Sequence, residues 1–169
     1  MIWPRAPLDV AAYVQEVTGP RPCFICRLAA ESPPGHEVVY RDQRHLVFLP
    51  RYPTLEGYVL VAPVEHREQV VSDFSLGEYV ELQSFVHQVG RALSEVVPTE
   101  RLYLLSMGSQ QGNRHVHWHV AALPPGVPFE DQQISALTAE RTGYLVISEE
   151  ARDKFSARLR AALSSSDRS

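Results

Sequence analysis

The hydrophobic pattern changes period several times along the chain. "EVVYRD" and "HLVFLP" are short runs of β-branched, aromatic and aliphatic residues separated by the polar turn "RDQR", which predicts a hairpin. "YVLVAPV" is an unbroken apolar run closed by Pro63, the pattern of a buried strand. From residue 76 the period lengthens: Tyr79, Leu82, Phe85, Val86, Val89 and Leu93 fall at helical spacing, with no Gly or Pro between 78 and 89. One long amphipathic helix over about 76–97 is expected. "RLYLLSM" then predicts a strand and "GSQQGN" a Gly-flanked polar loop.

After that loop, "NRHVHWHVAAL" alternates strictly, with His115, His117 and His119 interleaved with Val116, Trp118 and Val120. In a strand, successive side chains point to opposite faces, so the three imidazoles share one face and the apolar residues the other. A helix would scatter them, and the β-branched and aromatic spacers also favour extended backbone. The flanks are less patterned. A brief helix is expected over Val10 to Val17, "ESPPGHE" reads as a turn, "GYLVIS" as a short strand and "EEARDKFSARLRAAL" as a helix whose acidic residues lead and basic residues trail, as its dipole favours. The expected division is an N-terminal arm over 1–21, a single domain over 22–163 and a disordered tail over 164–169.

A chain of 169 residues, 44% hydrophobic and 21% charged, can bury one sizeable core. A formal net charge of -4 gives no electrostatic support for a long nucleic acid, whose binders carry clustered basic excess. A small phosphorylated molecule is still compatible, because backbone N–H groups can hold one phosphate without net positive charge. No apolar run reaches bilayer-spanning length, and "MIWPRAPLDV" lacks the charged and apolar regions of a secretion signal, so a cytoplasmic location is expected.

In a reducing compartment the C-x-x-C of Cys23 and Cys26 points to metal or redox chemistry rather than a structural disulfide. A tetrahedral zinc site needs two further ligands. His36 in a turn and His87 in mid-helix read as surface residues, whereas His66 directly follows the buried strand, and one histidine of the triplet could complete the set.

With "CFIC" near the start, "GYVLVAPVEH" in the middle and "HVHWHV" in this order, the chain resembles the histidine triad (HIT) superfamily of nucleotide hydrolases and transferases over residues 22–124. The resemblance implies an α+β fold, with a mainly antiparallel five-stranded sheet flanked by helices and homodimers formed through the long helix and neighbouring strands. It implies structural zinc on Cys23, Cys26, His66 and His115. It also implies His117 as nucleophile toward the α-phosphate of a nucleoside phosphoramidate, dinucleoside polyphosphate or similar conjugate, through a covalent nucleotidyl-histidine.

Imidazole chemistry agrees with these roles. A neutral imidazole is a good nucleophile near pH 7, and a same-face neighbour about 6.6 Å along the strand can donate to a phosphate oxygen or leaving group, the part expected of His119. The loop before the triplet would contact phosphate through Ser106, Ser109, Gln110 and Asn113, with Gly108 and Gly112 letting backbone N–H groups approach. Where many members carry an acidic residue for the ribose followed by asparagine, this chain reads Pro50, Arg51, Tyr52, Pro53. Two other readings stay open: a hydrolase whose triplet ligates a catalytic metal, and a non-catalytic nucleotide-binding or interaction protein.

Overall fold

A computed structural model describes residues 3–19, 22–31, 37–108 and 114–166. Its centre is a five-stranded sheet in the order β2-β3-β4-β6-β5, every neighbouring pair antiparallel. The strands are β2 (Val38–Arg41), β3 (His45–Phe48), β4 (Gly57–Pro63), β5 (Arg101–Leu105) and β6 (Trp118–Leu123). The hairpin β2–β3 turns at Asp42, whose carboxylate accepts from the backbone N–H of Arg44 and His45 at 2.7 and 2.6 Å, an arrangement short polar side chains favour in turns.

The long helix α3 spans Leu76–Val96 and starts at a reciprocal cap, Ser75 Oγ accepting from the Glu78 N–H while the Glu78 carboxylate accepts from the Ser75 N–H. Its stripe of Leu82, Phe85, Val86, Val89 and Leu93 lies on the sheet face formed by Val47, Val59, Val61, Val116, Trp118 and Val120. Helix α6 (Glu149–Ser166) adds Phe155, Leu159 and Leu163 to the same core. Residues 164–166, expected to lie in a frayed end, continue this helix.

The opposite face is covered in two patches. Helix α2 (Phe24–Glu31), which the sequence pattern did not predict, packs Ile25 and Leu28 on Leu46, Phe48, Leu60 and Ala62. Helix α4 (Gln132–Leu137) packs Ala136 on Ala121 and Leu123, followed by the short helix α5 (Ala139–Thr142). Tyr58 touches both patches. His119, opposite Leu60 on β4 and Leu105 on β5, shares this face.

The N-terminal residues are tied to the rest of the chain. Strand β1 (Arg5–Ala6) pairs with β7 (Tyr144–Leu145), and Gly143, at φ +70°, sits against the Ala6 carbonyl where a Cβ would collide. Helix α1 (Val10–Thr18) places Tyr13 edge-on to Tyr52, which in turn meets Tyr144.

Candidate functional site

The alternation of the triplet holds, but only part of it lies in a strand. β6 begins at Trp118, so His115 and His117 precede it. The ladder stops because its partner runs out: β4 pairs Val61 with Trp118 and then reaches Pro63, which has no N–H to donate. The Pro63 carbonyl accepts instead from His115 Nε2 at 2.9 Å, and the Val116 N–H goes to the Arg67 carbonyl at 2.8 Å. Val116 and Trp118 still point into the α3 core, and the histidines into the other face.

The four residues expected as metal ligands lie together. Cys23 and Cys26 sit at the start of α2, His66 just past β4, and His115 is fully buried; their ligand atoms all lie within 4.8 Å of one another. Cys26 Sγ is 3.3 Å from His66 Nδ1 and 3.5 Å from His115 Nδ1, and Cys23 Sγ is 3.4 Å from His115 Nδ1. Bond lengths of about 2.3 Å to sulfur and about 2.0 Å to nitrogen around a tetrahedral zinc would separate the donors by about 3.5 Å. The donor set and its spacing therefore fit zinc. Each imidazole also has its outer nitrogen engaged, His115 with the Pro63 carbonyl and His66 with Glu68 at 3.2 Å, which leaves Nδ1 facing the cluster as metal-binding histidines require. Burial, with Cys23 alongside, pushes the Cys26 thiol up to about 11, so metal binding at neutral pH would release a proton there.

Beyond this cluster, His117 and His119 form a pair of half-buried rings with centroids 4.9 Å apart. His117 Nδ1 lies 2.8 Å from the backbone carbonyl of His115. A carbonyl only accepts, so Nδ1 carries the proton and Nε2 keeps its lone pair. Burial pulls the pKa of His117 below its ordinary 6.5, which keeps the ring neutral and nucleophilic at pH 7. His119 Nδ1 is 2.8 Å from the Tyr58 hydroxyl, and its Nε2 is buried with no hydrogen-bond partner among the described residues. Burial, reinforced by His117, draws His119 down to about 3. The ring that the sequence suggests as a proton donor is thus neutral in this setting, and what it can offer is an N–H hydrogen bond.

Of the expected phosphate contacts, Ser106 lies one residue beyond the Leu105–His119 pair and is half-buried, its Oγ accepting from the Gly108 N–H at 3.3 Å. Gly108 has φ +74°, conformational freedom that suits the turn. Ser109, Gln110 and Asn113 lie outside the described residues, as does His36; His87 is exposed on α3. Where the loop departs from the common pattern, Arg51 pairs with Glu16 of α1 at 3.0 Å and lies over the Tyr52 ring. Pattern reading missed Tyr58, although a phenol inside an otherwise aliphatic buried strand was a visible signal that a polar partner waits opposite.

A search of curated protein sequences found no match. Among solved structures, the chain is similar to a hypothetical histidine triad nucleotide-binding protein from Sulfolobus tokodaii strain 7, at 21% identity and TM-score 0.66 over 85% of this chain and 93% of that one. A HIT-like protein of Bartonella henselae, described as involved in cell-cycle regulation, matches at 18% identity and TM-score 0.66, over 83% and 95%. A zinc-bound histidine triad family protein from Mycobacterium smegmatis matches at 20% identity and TM-score 0.61, over 86% and 95%. The family model for the HIT domain matches residues 34–125, which holds β2 through β6, His66 and all three triplet histidines, and on that match the chain belongs to the HIT domain family.

Proposed function

We propose that this protein is a nucleotide-binding hydrolase or nucleotidyl transferase that attacks the α-phosphate of a nucleoside phosphoramidate, dinucleoside polyphosphate or similar conjugate through His117. The observation that carries this reading is the His115 carbonyl on His117 Nδ1, which leaves Nε2 of this half-buried ring with its lone pair free to attack. Nε2 bonds to phosphorus as the bond from phosphorus to the leaving group breaks, the leaving group departing with that electron pair as a phosphate anion or, for an amine, taking up a proton from water; water or another acceptor then displaces the histidine and gives up its own proton to solvent. His119 donates a hydrogen bond at the reacting phosphate, and Ser106 with Ser109, Gln110 and Asn113 supplies further polar contacts. The base would lie toward "VFLPRYP", where Tyr52 stands in place of the asparagine common in the family and Pro50 in place of the acidic residue.

Cys23, Cys26, His66 and His115 would hold zinc. The metal would act structurally, pinning the start of α2 to the end of β4 and the residue that orients His117. The alternative in which the triplet ligates a catalytic metal is less well supported: His115 turns toward the cysteines, and among the described residues His117 and His119 join no group of three or more metal-ligating side chains. A cytoplasmic location is part of this proposal; no helix among the described residues is long and apolar enough to cross a membrane.

The decisive experiment mixes the full chain with an adenosine phosphoramidate or a dinucleoside polyphosphate, quenches rapidly without acid and examines the peptide bearing residues 115–119 by mass spectrometry. A nucleotidyl adduct on His117 is expected. Turnover with no adduct, abolished reversibly by a chelator in a protein that stays folded, would assign the reaction to a metal instead. Absence of both turnover and nucleotide binding would leave the interaction-protein reading.

A further inference from the structure

We infer that Tyr58 is a positioning residue that fixes His119 in the Nε2–H tautomer, so that the ring next to the nucleophile presents a hydrogen-bond donor to the substrate phosphate. This rests on the functional reading above only for what the donor acts on; the tautomer is a property of the free protein.

Donors and acceptors decide which ring nitrogen of His119 carries the proton. The Tyr58 hydroxyl and His119 Nδ1 are 2.8 Å apart, and one proton lies between them. If it sat on Nδ1, the phenolic proton would need a second acceptor, and none is present among the described residues; Nε2 would then be a buried bare lone pair as well. If the phenol donates, its proton is satisfied and the imidazole proton is driven to Nε2. The second arrangement leaves fewer buried groups unpaired. Tyr58 is well suited to keep its proton. It packs between the α2 and α4 patches, and its surroundings (burial first, then the Glu140 carboxylate on α5 and Tyr13 on α1) hold its pKa well above the ordinary phenol value.

The consequence is a matched pair. A backbone carbonyl puts the proton of His117 on Nδ1 and frees Nε2 to attack; a phenol puts the proton of His119 on Nε2 and frees it to donate. Two adjacent imidazoles thereby hold opposite tautomers, one set by the His115 carbonyl just before β6 and the other by Tyr58, the second residue of β4. The Nε2 of His119, buried and unpartnered, is the atom that a phosphoryl oxygen or leaving-group atom would satisfy. No proton leaves His119 in this step.

The test is nitrogen-15 NMR of histidine side chains in the full chain, with His119 assigned by comparison with His119→Gln. The wild-type protein is expected to show a protonated Nε2 and a bare Nδ1 at His119, and Tyr58→Phe, which keeps the ring and its edge contact with His119 at 5.9 Å between centroids, is expected to lose that preference. In Tyr58→Phe, kcat should fall by about ten- to a hundredfold, less than on losing a donor outright, with KM little changed. A wild-type His119 protonated at Nδ1 overturns the inference, as does a Tyr58→Phe protein with unaltered tautomer, whatever its rate. A wild-type protein with the expected tautomer and no activity on any nucleotide conjugate would instead refute the functional reading and leave the tautomer assignment standing.

Discussion

The ring of His117 hydrogen-bonds back onto the carbonyl of His115, two residues earlier, at 2.8 Å. That contact joins two jobs in one turn of backbone. His115 faces the cysteines with Nδ1 and grips Pro63 with Nε2, so its peptide carbonyl is held in place by whatever holds its side chain.

His117→Ala should therefore abolish turnover, by about a thousandfold or more, because only binding and electrostatic contributions survive loss of a nucleophile. His119→Ala, which removes the neighbouring hydrogen-bond donor, should cost roughly a hundred- to a thousandfold. Nucleotide affinity should change far less in either case. Steady-state kinetics with calorimetric titration checks both, and an active His117→Ala protein would sink the covalent route.

Zinc should co-purify at about one ion per chain, a stoichiometry that follows from one tetrahedral donor set. Replacing Cys23 and Cys26 together by serine removes both sulfur ligands and should leave the protein metal-free and markedly less stable, since metal binding and folding are coupled. Elemental analysis and thermal unfolding report the two effects. Full zinc occupancy in the double variant would place the metal elsewhere.

Much of this was legible from residue pattern because the signals were local. The α3 stripe, the β2–β3 hairpin and the alternation around Val116, Trp118 and Val120 each follow from a period that burial imposes on one element. The pattern also put Cys23 and Cys26 beside candidate histidines. What it could not supply were contacts set by the meeting of distant segments. The strand start at Trp118 depends on Pro63 ending the ladder, fifty-odd residues earlier in sequence. Helix α2 is short and its apolar positions, Ile25 and Leu28, make sense only against Leu46 and Phe48. The Tyr58–His119 hydrogen bond and the Tyr13–Tyr52–Tyr144 contacts likewise join residues whose separation no local period encodes.

The edge of the sheet leads to a further expectation. β5 is a terminal strand with Leu104 47% exposed, and α3 carries Val80 at 53% exposure. Among the described residues no strand pairs with the outer edge of β5, and strand edges and exposed apolar side chains are surfaces that natural proteins protect or pair. We expect a homodimer formed through β5 and α3. Sedimentation at micromolar concentration should give twice the chain mass, and Leu104→Lys combined with Val80→Glu should shift it to monomer. A wild-type protein that sediments as a monomer would refute this.

Acid should weaken the fold through the buried histidines. Burial lowers His119 from its ordinary 6.5 to about 3, so on acidification the unfolded chain takes up a proton that the folded chain refuses. The stability this neutral ring allows is fully present above about pH 6.5 and is lost as the pH falls from there toward 3. Release of zinc from the proposed site on acidification would run in the same direction through His115 and the thiols, so the measurement must be differential. Urea midpoints of the zinc-saturated wild type and of His119→Gln, compared at pH 7.5 and at progressively lower pH, isolate the one ring. Glutamine does not titrate, so the variant should lose less stability than the wild type over this range, and the gap between the two curves should be constant above pH 7. Parallel curves throughout would show that His119 takes up its proton as readily in the folded protein as in the unfolded chain. The neutral N–H donor assigned to it at pH 7 would then lose its protection against acid.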